Sequence, residues 1–103
     1  MKLQIIAQQK DRTLTLYLQG ELDHHAARTV MRQVYEEMEY RAPYTLVLDF
    51  SGVTFMDSSG IAVVLKAQQQ MKQTGGRLTV RRPTAQSEKV FRAAGLEQIV
   101  AME

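Results

Sequence analysis

Residues 44–50 read YTLVLDF, and this stretch decides the fold. The run is nearly continuously apolar, which is typical of a central strand that is covered on both faces. Pro43 stands directly before the run and ends the preceding region, and the pair Ser51-Gly52 behind it predicts a turn. We therefore expect residues 44–50 to form the middle of a sheet.

Two strands are predicted upstream of this run. Residues 13–18 alternate cleanly between Leu and either Thr or Tyr, which is a strong strand pattern, and residues 3–8 alternate more weakly. The polar residues 10–12 between them predict a hairpin turn. The sequence of residues 20–23 breaks the alternation, and Asp23 can cap a helix whose apolar residues then follow at helical spacing. These are Ala27, Val30, Met31, Val34, Tyr35 and Met38.

The elements after the central run also follow from their spacing. A second helix is predicted from about Ser58 to Gln73, and Gly75-Gly76 closes it. Residues 77–81 alternate as another strand. Pro83 marks the start of a third helix that Gly95 caps, and residues 99–100 form a short terminal segment.

The predicted order is β-β-α-β-α-β-α-(β), within one α/β domain that spans residues 1–103. Strands that alternate with helices need crossovers, so we expect a mixed sheet of four to five strands with a parallel centre and the helices packed on it. The side chains expected to be largely buried are Leu46, Leu48, Val64, Leu65 and Phe91.

Composition excludes several classes of site. The chain has 103 residues and no cysteine, which rules out disulfides and thiolate metal sites and suits a cytoplasmic location. The N-terminus lacks the apolar run of a signal peptide, and no stretch approaches the roughly 20 apolar residues that span a bilayer. The net charge is only +2, so the local basic residues Arg77, Arg81 and Arg82 indicate solvated charges rather than direct nucleic-acid binding.

The most informative motif is residues 55–61, FMDSSGI, between the central strand and the second helix. Asp57 or Ser58 can cap that helix. If Asp57 caps it, the hydroxyl group of Ser59 can face solvent, and Gly60 leaves room for another molecule. A phosphate on Ser59 would meet free N–H groups at the positive end of the helix. Spacing alone favours a capping sequence and nothing more.

The motif, together with the following apolar helix that ends in Gly75-Gly76, resembles the signature of the STAS domain. Residues 20–25, GELDHH, resemble the sporulation-type anti-sigma factor antagonists within that family. Residues 91–96 resemble the family's third helix and its cap. The resemblance extends over essentially the whole chain.

The resemblance implies a partner switch that involves no cofactor and no catalysis by the chain itself. The unphosphorylated antagonist binds an anti-sigma factor that is also a serine kinase, and a sigma factor is released. Phosphorylation of Ser59 switches binding off, and a serine phosphatase resets it. The loops before the first two helices are then expected to form one partner-binding surface, acidic in part. Its expected residues are Glu21, Asp23, His24, Asp57, Ser58 and Gly60.

Three other interpretations of these residues compete with this one. Asp23, His24, His25 and Ser59 resemble the members of a hydrolase triad, but the serine lacks the Gly-x-Ser-x-Gly context. The histidine pair has no further ligands at a spacing that suits a metal. A non-phosphorylated interaction or scaffold module in a larger complex remains the serious alternative, and it predicts that Ser59 tolerates alanine and aspartate alike.

Overall fold

The computed structural model describes residues 3–103 of the chain, and the domain expected to span residues 1–103 is therefore seen from residue 3 onward. The elements in chain order are β1 (Gln4–Lys10), β2 (Thr13–Leu22), α1 (His24–Arg41), β3 (Thr45–Met56), α2 (Ser59–Gln73), β4 (Arg77–Arg81), α3 (Ala85–Ala93), a 3-10 turn (Leu96–Gln98) and β5 (Ala101–Met102). This is the predicted order, including the terminal strand.

The five strands form one mixed sheet in the order β1-β2-β3-β4-β5. The β1–β2 hairpin is antiparallel, and the remaining neighbours pair in parallel. The expected central strand is therefore confirmed, because β3 lies between β2 and β4. All crossovers carry helices, so the N-termini of α1 and α2 both lie at the carboxyl ends of the parallel strands.

One hydrophobic core lies between the sheet and the helices. Alternate residues of β2, β3 and β4 point into it, and α1, α2 and α3 each contribute apolar side chains. Phe50 of β3 and Phe91 of α3 meet edge to face with ring centroids 5.1 Å apart. Four of the five side chains expected to be buried are fully enclosed, whereas Leu65 is half-buried at the rim of α2.

Two predicted breaks are continuous strand instead. The pair Ser51-Gly52 was expected to form a turn, but β3 runs through it to Met56, and β2 continues through Gly20 to Leu22. Irregular pairing between the strands explains both, because the register shifts on either side of Gly20. A side chain on Gly52 would lie 2.9 Å from Cγ of Gln19, so close strand approach rather than a turn requires this glycine.

Among residues 3–103, no helix is long and apolar enough to cross a membrane.

The basic residues at the end of β4 surround one buried carboxylate on the opposite face of the sheet. Asp49 is inaccessible to solvent, and its Oδ2 accepts hydrogen bonds from Nε of Arg81 at 3.3 Å and from Nη2 of Arg82 at 2.6 Å. Burial alone raises the pKa of Asp49, but hydrogen bonds from Ser51 and Arg82 and the charge of Arg82 outweigh it, so the pKa is lowered. Two of the three basic residues are thus held by an internal ion pair.

Candidate functional site

The loops that precede α1 and α2 lie side by side at one end of the sheet. The last residues of β2 and β3 are paired, Glu21 with Phe55 and Leu22 with Met56. The amide of Asp57 also donates to the carbonyl oxygen of Leu22 at 3.3 Å. The predicted site residues of the two loops are therefore neighbours in space, because carboxyl ends of adjacent parallel strands meet at the same edge.

Asp57 ties the two loops together. Its Oδ1 accepts a hydrogen bond from the amide of Ser59 at 2.8 Å, and its Oδ2 accepts one from the amide of His24 at 3.1 Å. Burial raises the pKa of Asp57, but the hydrogen bonds from Ser59 and His24 outweigh it and the pKa lies below its ordinary value. Asp57 is thus ionised at neutral pH and holds the first residues of both helices.

Asp57, rather than Ser58, supplies the side-chain cap of α2. Ser58 occupies the position before the helix, but its hydroxyl group makes no capping hydrogen bond, and the residue is exposed. Ser59 is the first helical residue and is half-buried. Of the two serines, Ser58 therefore presents its side chain to solvent most freely, while Ser59 lies against neighbouring structure.

Ser59 lines a groove of about 580 Å³ between α1 and α2. The hydroxyl group of Ser59 was expected to face solvent, and the structure shows the residue half-buried, at the end of the groove where both helices begin. The apolar part of the lining comes from alanine, valine and methionine side chains on both helices, and the rim is charged. The charged or titratable residues along the groove are His24, Arg28, Arg32, Tyr35, Glu36, Glu39 and Lys66.

Asp23 caps α1, as its sequence position predicts. Its Oδ1 accepts hydrogen bonds from the amides of His25 at 3.1 Å and Ala26 at 3.0 Å. The carboxylate therefore serves the helix rather than standing free for a partner. Glu21 is half-buried on β2, opposite Phe55.

Replacing Asp23 with alanine should lower the free energy of unfolding by about 0.5–2 kcal/mol, because two helix amides lose their acceptor. Urea unfolding measures the change. Asp23→Asn keeps a capping oxygen without the charge and should retain most of the stability, so it is the variant that separates capping from binding. An alanine variant as stable as the parent would contradict the capping role.

Gly60 was expected to leave room for a partner, and the structure shows that packing within the domain also requires a glycine here. The residue is buried, and a β-carbon here would collide with Sδ of Met56 and lie 3.2 Å from Cδ2 of Leu22. Without a side chain at Gly60, α2 packs closely on the ends of β2 and β3. Gly60 thus positions Ser59, and its contact with a partner stays a prediction.

Gly60→Ala should therefore cost about 1–3 kcal/mol in unfolding free energy, because Met56 must move within a packed core. Ser58→Ala is the matched control, since an exposed side chain without a capping bond should change stability by less than about 0.5 kcal/mol. Chemical denaturation of both variants tests this. Equal stabilities would show that the glycine is not required for close packing.

Gln86 is a contributor that the sequence reading missed. Its side-chain amide donates to the carbonyl oxygen of Met56 at 2.8 Å, and its Oε1 accepts from the amide of Met56 at 2.9 Å. β4 pairs with β3 only as far as Asp49, so Gln86 of α3 replaces the absent strand neighbour beside the motif. No sequence pattern signals this, because a glutamine in the first turn of a helix is unremarkable. Phe55, next to Met56, is 44% exposed and was also not predicted.

The histidines are not arranged as a hydrolase triad. The ring centroids of His24 and His25 lie 3.9 Å apart, and Nδ1 of His24 is 3.9 Å from Oδ2 of Asp57. The carboxylate of Asp23 is engaged by helix amides, as described above. Within residues 3–103, no three side chains of His, Asp or Glu gather as metal ligands would.

Comparison with known proteins agrees with this arrangement. The STAS domain family model matches residues 4–103. The anti-sigma F factor antagonist of Lysinibacillus sphaericus is 32% identical over 84 residues, which cover 82% of this chain and 72% of the relative. The solved structure of the anti-sigma factor antagonist SpoIIAA in its unphosphorylated form is 29% identical, with a TM-score of 0.82 over 97% of this chain and 88% of the other. The Bacillus cell fate determinant SpoIIAA in its phosphorylated form is also 29% identical, with a TM-score of 0.73 over 97% and 91%. The chain belongs to the STAS domain family and, within it, to the anti-sigma factor antagonists.

Proposed function

We propose that this chain binds an anti-sigma factor that is also a serine kinase, and that phosphorylation of Ser59 ends the binding. The kinase transfers the γ-phosphoryl group of ATP to Oγ of Ser59, which loses its proton, and ADP leaves. A serine phosphatase restores the hydroxyl group. The unphosphorylated form frees a sigma factor in the cytoplasm, in a sporulation-type partner switch, and the chain acts through binding rather than as an enzyme.

The position of Ser59 is the observation that carries this proposal. Ser59 is the first residue of α2, and its amide is already paired with Asp57. The amide of Ser59 makes the capping hydrogen bond, so modification of its Oγ leaves that bond in place. The helix N-terminus tolerates negative charge at this point, so a phosphate need not unfold the domain. The similarity to SpoIIAA, which has been solved in unphosphorylated and phosphorylated forms, supports a switch by phosphorylation.

The proposed partner surface is the pair of loops around Ser59. Ser58 and His24 are exposed there and are the side chains that a partner can contact directly. Glu21 borders the same surface. Asp23, Asp57 and Gly60 take part by holding the two helix starts in place, because their hydrogen bonds and packing lie within the domain.

Incubation with the candidate kinase and ATP tests the proposal. One phosphate should be added, seen as a single step in intact mass, and fragment mapping should place it on Ser59. Ser59→Ala should remain unmodified. Ser58→Ala is the matched control and should still be phosphorylated, since its hydroxyl group makes no bond that shapes the helix start.

A phosphate on Ser58, or a kinase that leaves Ser59 unmodified, would overturn the proposal. In the second case the scaffold interpretation, in which the domain binds without a switch, would take its place.

A further inference from the structure

The groove beside Ser59 is lined by basic side chains that make no ion pair within the described part of the chain. His24, Arg28 and Arg32 lie along one face of α1, and Lys66 faces them from α2. Arg28, Arg32 and Lys66 form no ion pair with any carboxylate among residues 3–103. By contrast, both carboxylates of the two loops, Asp23 and Asp57, accept hydrogen bonds from helix amides.

The rise of α1 places its cations at successive positions along the groove from the end where Ser59 lies. α1 and α2 run side by side in the same direction, because each connects parallel strands. His24 and Ser59 are the first residues of the two helices, and the amide of His24 shares the Asp57 carboxylate with the amide of Ser59. Arg28 follows His24 by about one turn, or roughly 5.4 Å along the axis, and Arg32 by about two turns. Arg28 is therefore the unpaired arginine nearest to Ser59 along the groove.

We propose that phosphoserine at position 59 is held within the domain by the guanidinium group of Arg28, with the imidazole of His24 as a second donor. The proposal rests on the proposed function, in which Ser59 is phosphorylated. A phosphate brings about −1.5 to −2 charges and three acceptor oxygens, and a guanidinium group matches it with two parallel hydrogen bonds. The pairing would draw Arg28 across the end of the groove beside Ser59.

This pairing changes how the modification alters the surface. The phosphate would replace a neutral hydroxyl group, and Arg28 would no longer be available to an outside carboxylate. The groove would lose the free charge of Arg28 and its open end together, while Arg32 and Lys66 would stay unpaired. The domain need not refold, because only side chains on the groove rim move.

Phosphate titration by ³¹P NMR tests the pairing directly. Phosphoserine is installed at position 59 during translation, so neither the kinase nor the anti-sigma factor is needed. The phosphate pKa in the parent protein should lie below the ordinary value of about 6. Arg28→Gln should raise it by about 0.5, less than a fully enclosed pair would give because the groove is open to water.

Arg32→Gln is the matched control, because it removes the same charge one turn further along the groove. It should raise the phosphate pKa by less than about half the change seen for Arg28→Gln. Both positions are exposed, and thermal unfolding verifies that each variant is folded. Arg28→Lys keeps the charge without the planar fork and should fall between the parent and the glutamine variant.

The other titratable groups around the phosphate are the same in the parent protein and in the Arg28 and Arg32 variants. Asp57 faces it from the loop before α2, with His24 and, further along the groove, Glu36 and Glu39 on α1 and Lys66 on α2. His24→Gln, titrated in parallel, separates the imidazole from the guanidinium contribution.

The pairing would be overturned if Arg28→Gln left the phosphate pKa unchanged, or if Arg32→Gln raised the phosphate pKa by as much as Arg28→Gln does. Either result would leave the proposed function standing, since the kinase reaction and anti-sigma binding are measured separately. Conversely, a kinase that fails to modify Ser59 would remove the proposed function whatever the titration shows.

Discussion

Replacing Ser59 with aspartate should lower the affinity for the anti-sigma factor at least about a hundredfold, whereas Ser59→Ala should bind as the parent does and never switch off. A hundredfold change corresponds to about 2.8 kcal/mol. The effect is large because a docked partner that covers the start of α2 must bury the introduced carboxylate. Burying an unpaired charge costs several kcal/mol. Calorimetric titration of both variants with the same preparation of the partner measures the difference.

The start of the helix explains why this change should act on binding and not on folding. A negative charge at the first turn of α2 is favoured by about 0.3–1 kcal/mol at an exposed site. Asp57 opposes it through like charge, so the two contributions nearly cancel. Equal unfolding curves for the two variants are the control. Equal affinities would contradict the switch and favour the scaffold interpretation.

Leu48→Ala should lower the free energy of unfolding by about 2–5 kcal/mol. Leu48 is fully buried in β3, where it is flanked by Leu16 of β2 and Val80 of β4. Because both neighbouring strands are fixed by parallel pairing, the site cannot collapse easily around the lost atoms. The matched control is Leu65→Ala, which deletes the same atoms at a half-buried position of α2 and should cost less.

Urea unfolding of the two leucine variants measures the difference. A destabilisation below about 0.5 kcal/mol for Leu48→Ala, or a larger one for Leu65→Ala, would contradict the position assigned to β3 in the core.

Most of the architecture could be predicted because it follows from local patterns. Strict alternation in residues 13–18 and the apolar run of residues 44–50 identify β2 and the core of β3, and helical spacing identifies the helices. The extra lengths of β2 and β3 could not be predicted in the same way. They depend on irregular pairing between two strands that are far apart in the sequence, and a glycine at Gly20 or Gly52 looks like a turn when each strand is read alone.

The candidate site was predicted in part for a similar reason. The motif and its resemblance to the STAS signature predict phosphorylation at Ser59, which stays a prediction, and the structure brings the two loops of the site together. The structural roles of the surrounding residues could not be predicted, because they depend on contacts between residues that are distant in the sequence. Asp57 reaches His24 of another helix, Gly60 makes room for Met56, and Gln86 substitutes for a strand.

Control of anti-sigma binding by one phosphate on Ser59 is tested by the dissociation constant of one protein batch before phosphorylation, after stoichiometric phosphorylation at Ser59, and again after phosphatase treatment. The affinity should fall at least about a hundredfold and then return, with an unfolding transition that stays nearly unchanged. An affinity that is the same in all three states, or that is lost together with the folded structure, would contradict it.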